Sequence, residues 1–259
     1  MIPVFIGYDR RETIAYHVLA HSLLKHATVP LAITPVGNDV LPKGRWWRER
    51  GPHDSTDFSN ARFMVPALMG YRGWAIFMDC DMVALGDVAE LFEQRDPGCA
   101  VQVVQHVHEP AETVKFLGAE QSKYSRKNWS SLMLINCGHP LTRALSEGYV
   151  NTAPGFDLHQ LRWAGTEVGE ITGLWNVLVA PDFQHPEPVD RFNLKLLHYT
   201  LGGPWHGYEP EGASYWLDAL WEMIAGGNPC AALNVFGDGP GVHRFVGQFK
   251  ERFAHEQTP

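Results

Sequence analysis

The chain lacks the marks of a nucleic-acid binder, a disulfide scaffold and a membrane span. Its 21 Lys and Arg are outnumbered by 29 Asp and Glu, for a formal net charge of −8. That balance leaves no basic excess for a polyanion, so no nucleic-acid partner is expected. Any phosphate it handles must be met locally, by a metal and a few basic groups. Only four cysteines occur in 259 residues, Cys80, Cys99, Cys137 and Cys230. They form no C-x-x-C pair and show no zinc-ligand spacing, and reduced, mostly buried thiols of a cytoplasmic protein are expected. No stretch reaches the roughly 18 uncharged apolar residues that a spanning helix needs. The apolar start, Met1 to Gly7, is too short for a signal peptide and points to a cytoplasmic location. Internal repeats, low-complexity tracts and interdomain linkers are missing too.

What is present suits one α/β domain. A hydrophobic content of 45% over 259 residues is ample for a full core, and a single domain over 1–259 with a C-terminal helical tail at about 240–259 is the economical reading. Strand-like runs at 2–7 and Leu31–Val36 flank a helix from about Glu12 to His26, with Ile14, Val18, Leu19 and Leu23 at helical spacing. A polar loop at 37–59 precedes a helix at about 60–69 and a strand, Trp74-Ala75-Ile76-Phe77-Met78. Further on, a capped helix is expected at 87–94, strands at 99–105, 131–136 and 175–179, and helices at 140–148 and 156–163. This alternation predicts a mainly parallel sheet with ligands at the carboxyl ends of its strands. In the tail, Arg244, Phe245, Val246, Phe249, Lys250, Arg252 and Phe253 form a weakly basic amphipathic pattern. It fits either peripheral contact with a membrane face or packing on the domain itself.

Asp79-Cys80-Asp81 ends the Trp74–Met78 strand. In extended chain, residues i and i+2 point the same way, so Asp79 and Asp81 can aim at one point while the Cys80 side chain turns elsewhere. Two hard oxygen ligands suit Mn2+ or Mg2+, which keep positions open for substrate phosphates. An Asp-rich turn capping loop amides is the plain alternative. The run Leu196-Leu197-His198 ends in a histidine followed by Gly202-Gly203-Pro204-Trp205. A strand-end histidine is either a hydrogen-bonded structural group or, beside an Asp-x-Asp, a third metal ligand. The glycines let backbone come close to a ligand. Trp175 and Trp205 read as core or lid packing, or as sugar platforms.

Five segments in order carry a resemblance: the opening Gly7-Tyr8-Asp9; Phe77-Met78-Asp79-Cys80-Asp81; Ser130-Ser131-Leu132-Met133-Leu134-Ile135-Asn136; Trp175-Asn176; and His198-Tyr199-Thr200 with Pro204-Trp205. Over roughly residues 3 to 206 the chain resembles the family-8 glycosyltransferases, the group of glycogenin and the bacterial lipopolysaccharide galactosyltransferases. The resemblance implies a nucleotide-sugar transferase fold of type A (GT-A), a metal held by Asp79, Asp81 and His198, and a UDP-sugar donor whose hexose is transferred with retention to a glycan or glycolipid acceptor. It places uridine against Ile6, Gly7, Tyr8 and Asp9, and the donor beside Asn60, Arg62 and the Asp79-Cys80-Asp81 segment, with Arg62 contacting diphosphate or orienting an aspartate. Asp157 and Gln160 fall about where the family carries an Asp-Gln pair beside the reacting sugar, Asp157 under the anomeric carbon, although here they are three residues apart.

Two departures stand out. Gly203 occupies the place of the family's diphosphate-contacting lysine, in a segment one residue shorter, so Lys195, Arg62 or the amides of Gly202 and Gly203 are expected to take over. Ser130-Ser131 replaces the more common Ser-Gly and is expected to narrow the sugar pocket. The polar excursion from His106 to Trp129, with Lys123, Tyr124 and Arg126, is expected to shape the acceptor site. Two other functions remain open. A nucleotidyltransferase making nucleotide-sugars would carry a glycine-rich basic loop after the first strand. A non-catalytic nucleotide- or glycan-binding scaffold is compatible with the missing lysine.

Overall fold

The computed structural model describes residues 1–52, 54–108, 126–179 and 183–225. In chain order the strands are β1 (Ile2–Gly7), β2 (Leu31–Val36), β3 (Trp74–Met78), β4 (Met82–Ala84), β5 (Val101–Val103), β6 (Val107–His108), β7 (Leu132–Asn136), β8 (Val168–Glu170), β9 (Val177–Leu178), β10 (Phe183–Gln184) and β11 (Leu196–His198). The helices are α1 (Thr13–His26), α2 (Val65–Leu68), α3 (Val88–Glu93), α4 (Glu147–Thr152), α5 (Gly155–His159) and α6 (Ala213–Ala225).

The central sheet runs β2-β1-β3-β7-β5-β8. Its pairs are parallel except at β7, which lies antiparallel to both β3 and β5. It is the mixed but mainly parallel α/β sheet expected. Both faces of β3 and β7 are buried, which is why their sequences are unbroken apolar runs rather than alternating ones. A small second sheet, β4-β11-β9, has β4 and β11 antiparallel and pairs His198 with Met82.

Helix α1 packs between the two sheets: Leu19 and Leu23 join the core under the large sheet, and Val18 joins the cluster of Val83, Leu197, Tyr199, Trp216 and Leu220. The buried Ser22 hydroxyl donates to the Leu19 carbonyl at 2.9 Å and accepts from the Ala84 amide at 3.0 Å, tying α1 to the strand that leaves the Asp pair.

Several expected helices are shorter than their patterns. The stretch expected as helix at 60–69 is a 3-10 turn, Ala61–Met64, followed by the single turn α2, and the stretch at 140–148 splits into Pro140–Ala144 (3-10) and α4. Pro66, at the start of α2, lacks the amide donor that a continuous helix over 60–69 would need there. Helix α6 was not anticipated. The tail at 240–259 and most of the expected acceptor segment, including Lys123 and Tyr124, lie outside the described residues. Cys80, Cys99 and Cys137 are free thiols, the first and last buried. Among the described residues no helix is long and apolar enough to cross a membrane.

Candidate metal and donor site

β3 delivers Asp79 one residue beyond its last paired position, and the ladder to β7 continues through the Asp79 amide, which donates to the Ser131 carbonyl at 2.9 Å. On the other side, the Tyr199 amide donates to the Asp81 carbonyl at 2.8 Å. The Asp pair therefore spans the seam between the two sheets, and β11 brings His198 to it. One ligand atom from each of Asp79, Asp81 and His198 lies within 4.8 Å of the others. His198 Nε2 stands 3.0 Å from Asp81 Oδ1.

Asp79 Oδ1 and Asp81 Oδ1 are both buried and accept no aligned hydrogen bond. Buried carboxylate oxygens are rarely left this way without a reason. Two carboxylate oxygens and an imidazole nitrogen that converge in this way fit a divalent cation, which this hard, mixed donor set suits.

Arg62 is the counter-ion. It is buried, with Nη1 2.8 Å from Asp79 Oδ1. The aligned bonds of its guanidinium go elsewhere, from Nη1 to the Ser130 carbonyl at 2.8 Å and from Nε to the Ser59 carbonyl at 3.0 Å. Its plane stacks on Phe58 and Phe77, at 5.3 and 5.1 Å from the ring centroids. Its Nη1 and Nε are thus engaged within the protein, and the approach of Nη1 to Asp79 fits the orientation of an aspartate. Burial still outweighs it: desolvation pushes the Asp79 carboxyl up to about 7, against the pull of Arg62, and Asp81 adds to the rise.

Other expected site residues divide. Cys80 is fully buried, its Sγ 3.7 Å from Glu12 Oε2 and away from the ligand point. Its expected place in the donor site is confined to backbone, as strand alternation requires. Burial raises its thiol well above the ordinary value. Lys195 lies just before β11, three residues ahead of His198 and about 10 Å along extended chain, and its ammonium pairs with Glu90 Oε2 at 2.8 Å.

The Gly202 amide donates to the Tyr199 carbonyl at 3.0 Å, so the two-glycine nest is half occupied from within. Gly203 is required by packing, because a Cβ there would stand 2.0 Å from the Trp205 ring. Trp205 in turn packs on Trp216, with centroids 5.2 Å apart, and Trp175 is in the core; both are packing residues. Gly203→Ala is therefore expected to cost about 1–3 kcal/mol by overpacking, read as a lowered denaturation midpoint. Unchanged stability would show that Trp205 moves aside freely. A lysine restored there meets the same ring.

In the opening turn, Ile6 is buried in the core, and Gly7 is pressed against Phe58, where a Cβ would come within 2.4 Å of the ring. The buried Asp9 carboxylate takes bonds from the Arg11 amide (2.9 Å), Nε (3.0 Å) and Nη2 (2.6 Å) and from the Asp57 amide (3.0 Å). Burial would raise its pKa, but those bonds hold it below the ordinary value. Its acceptor capacity is used within the protein, and Tyr8 is the partly exposed side chain of that turn.

Helix α5 lies over the other flank. Gly155 faces Asn60, where a Cβ would stand 3.0 Å from Asn60 Oδ1, and Ser130 Oγ is 2.8 Å from His159 Nδ1. Asn60 Oδ1 and Gln160 Nε2 are buried without a partner. Asp157 pairs with Arg162 at 2.5 Å. Glu12, Ser131, Asn176 and His206 were not singled out individually. Glu12 Oε1 lies 3.4 Å from Trp205 Nε1 and 3.3 Å from His206 Nε2, across nearly 200 residues of chain, a contact that no local pattern encodes.

The architecture is that of GT-A glycosyltransferases. Solved structures with this fold include LgtC in complex with donor and acceptor sugar analogs (TM-score 0.54, 16% identity, 86% of this chain and 96% of that one) and GlyE of Streptococcus pneumoniae TIGR4 (TM-score 0.56, 14% identity, 86% and 63%). The bifunctional WbbM is a third (TM-score 0.55, 15% identity), matched over 86% of this chain, which spans half of WbbM's length. The resemblance to family-8-like glycosyltransferases seen in the sequence agrees with these neighbours. No protein-family model matches the chain. It is 44% identical over 226 residues to Protein CDI of Arabidopsis thaliana, covering 85% of this chain and 86% of that protein, and it belongs to the Protein CDI family.

Proposed function

We propose that the protein is a metal-dependent glycosyltransferase that moves a hexose from a UDP-sugar to a glycan or glycolipid acceptor with retention of anomeric configuration. The observation that carries the reading is the convergence of Asp79, Asp81 and His198 at strand ends of a GT-A fold, their ligand atoms within 4.8 Å of one another. LgtC, with the same fold, was crystallised with donor and acceptor sugar analogs, which supports a sugar donor and a sugar acceptor here.

Asp79, Asp81 and His198 would hold Mn2+ or Mg2+, which when bound would supply Lewis-acid neutralisation of the leaving diphosphate. Arg62 opposes the protonation that burial favours at Asp79, and its Nη1 stands 2.8 Å from Asp79 Oδ1. Tyr8 and the backbone of Gly7 and Asp9 border the nucleoside, and Asn60 and Gln160 offer their unpartnered amide atoms to the sugar. Asp157, which pairs with Arg162, is the residue assigned to sit under the anomeric carbon. Little covalent chemistry is asked of these groups, and positioning and electrostatics carry the rate.

The test is UDP release from a panel of UDP-sugars, with and without Mn2+. Metal-dependent release from one or two members is the expected result. Pyrophosphate-dependent formation of a nucleoside triphosphate instead would identify a nucleotidyltransferase. UDP-sugar binding without turnover under any acceptor would leave a scaffold and overturn the reading.

A further inference from the structure

Ser131, which stands where the resembling family more often has glycine, does not face a sugar. Its side chain is buried and turned inward, where its Oγ lies 2.6 Å from the Asn128 carbonyl and 3.0 Å from Asn176 Nδ2. Asn176 is wholly buried as well, and its Oδ1 lies 2.8 Å from His198 Nδ1. The direction of this chain follows by elimination. A backbone carbonyl can only accept, so the single Ser131 hydroxyl proton goes to Asn128. Ser131 Oγ must then accept, which turns the Asn176 NH2 toward it and leaves Oδ1 facing the imidazole. Oδ1 can only accept, so Nδ1 of His198 carries a proton, and in the neutral imidazole it is Nε2 that carries the lone pair. Nε2 faces the Asp79 and Asp81 carboxylates, 3.0 Å from Asp81 Oδ1, where its favourable partner is a proton or a cation.

We propose that Asn176 and Ser131 are positioning residues that lock His198 into its Nδ1-protonated form, so that Nε2 is a metal ligand before any metal arrives. The inference rests on the metal-site reading above and assigns two residues to it that touch neither metal nor substrate. Ser131 works on both arms of the site, since its carbonyl also anchors the Asp79 amide at 2.9 Å. Asn176 has φ of +51°, a left-handed conformation that asparagine tolerates better than most residues. An amide that reaches the imidazole from that backbone leaves few alternatives. Outer-shell partners of this kind commonly govern metal affinity by about 10- to 100-fold.

The test compares Asn176→Gly, which keeps the left-handed backbone and removes the acceptor, with Asn176→Asp, which keeps an acceptor at the same place. Long-range 1H–15N spectra of the metal-free protein report the tautomer of His198, assigned by a His198→Gln variant, and calorimetry with Mn2+ alone reports affinity. Wild type is expected to show the Nδ1–H form. Asn176→Gly should shift His198 to the Nε2–H form or a mixture and weaken Mn2+ about 10- to 100-fold, and Asn176→Asp should restore both. Ser131→Ala, a milder change that frees the amide to flip, should move both readouts in the same direction by a smaller factor and serves if Asn176→Gly does not fold. An unchanged tautomer together with Mn2+ affinity within twofold in these variants overturns the lock and leaves the metal site standing. A tautomer that shifts as expected in a protein that binds no Mn2+ supports the lock and removes the metal-dependent function.

Discussion

Replacing Asp81 with alanine is expected to abolish Mn2+-dependent UDP binding while the protein stays folded. The charge inventory of the site explains both halves. Removing Asp81 loses its contact with His198 Nε2 but leaves the Arg62–Asp79 pair in place, and the fold should hold. The ligand set falls from three to two, and affinity should drop by more than about 100-fold, beyond the usual effect of an outer-shell partner. The same titration in wild type has a predicted pH dependence. Burial raises the Asp79 carboxyl to about 7, so below that pH the cation must displace a proton. Mn2+ affinity should therefore fall by up to about tenfold per pH unit below 7 and level off above it. Full affinity in Asp81→Ala by calorimetry would remove the metal site from the argument.

Arg62→Met carries the largest expected cost in stability. The guanidinium is buried, satisfies two carbonyls, stacks on two rings and is the cation beside Asp79. Removing one partner of a buried pair strands the other charge, typically at about 3–5 kcal/mol. Asp79 can escape by taking a proton, and the sign of the pH effect follows. With its folded pKa raised still further above the unfolded value, the folded state holds a proton that the unfolded state gives up. The variant should then recover stability as the pH falls below the raised pKa and lose it as the pH rises. Denaturant midpoints at pH 5.5 and 8 measure this. A loss that is small and equal at both values would mean that Arg62 only packs.

The strands were the most legible elements, because burial on both faces of β3 and β7 writes an uninterrupted apolar run that no loop shares. Asp79 and Asp81 followed from the two-residue period of extended chain, which needs no tertiary information. Helix lengths were less legible, since Pro66 interrupts a piece whose apolar spacing continues beyond it. Lys195 shows where composition misleads. A lysine seven residues before the Gly202-Gly203 pair looks available for phosphate, yet its ammonium pairs with Glu90.

The sequence by itself determined the fold class, the strand-end Asp pair and the choice of His198 among 13 histidines, because each is set by local period and by position at the end of an apolar run. Only the tertiary structure decided what surrounds them. Ser131, Asn176 and His198 are 45 and 22 residues apart, and Glu12 meets His206 across 194. Contacts of that separation depend on how β7, β9 and β11 are brought together between two sheets. No local propensity or spacing encodes a hydrogen bond whose partners are joined only by the packing of the core.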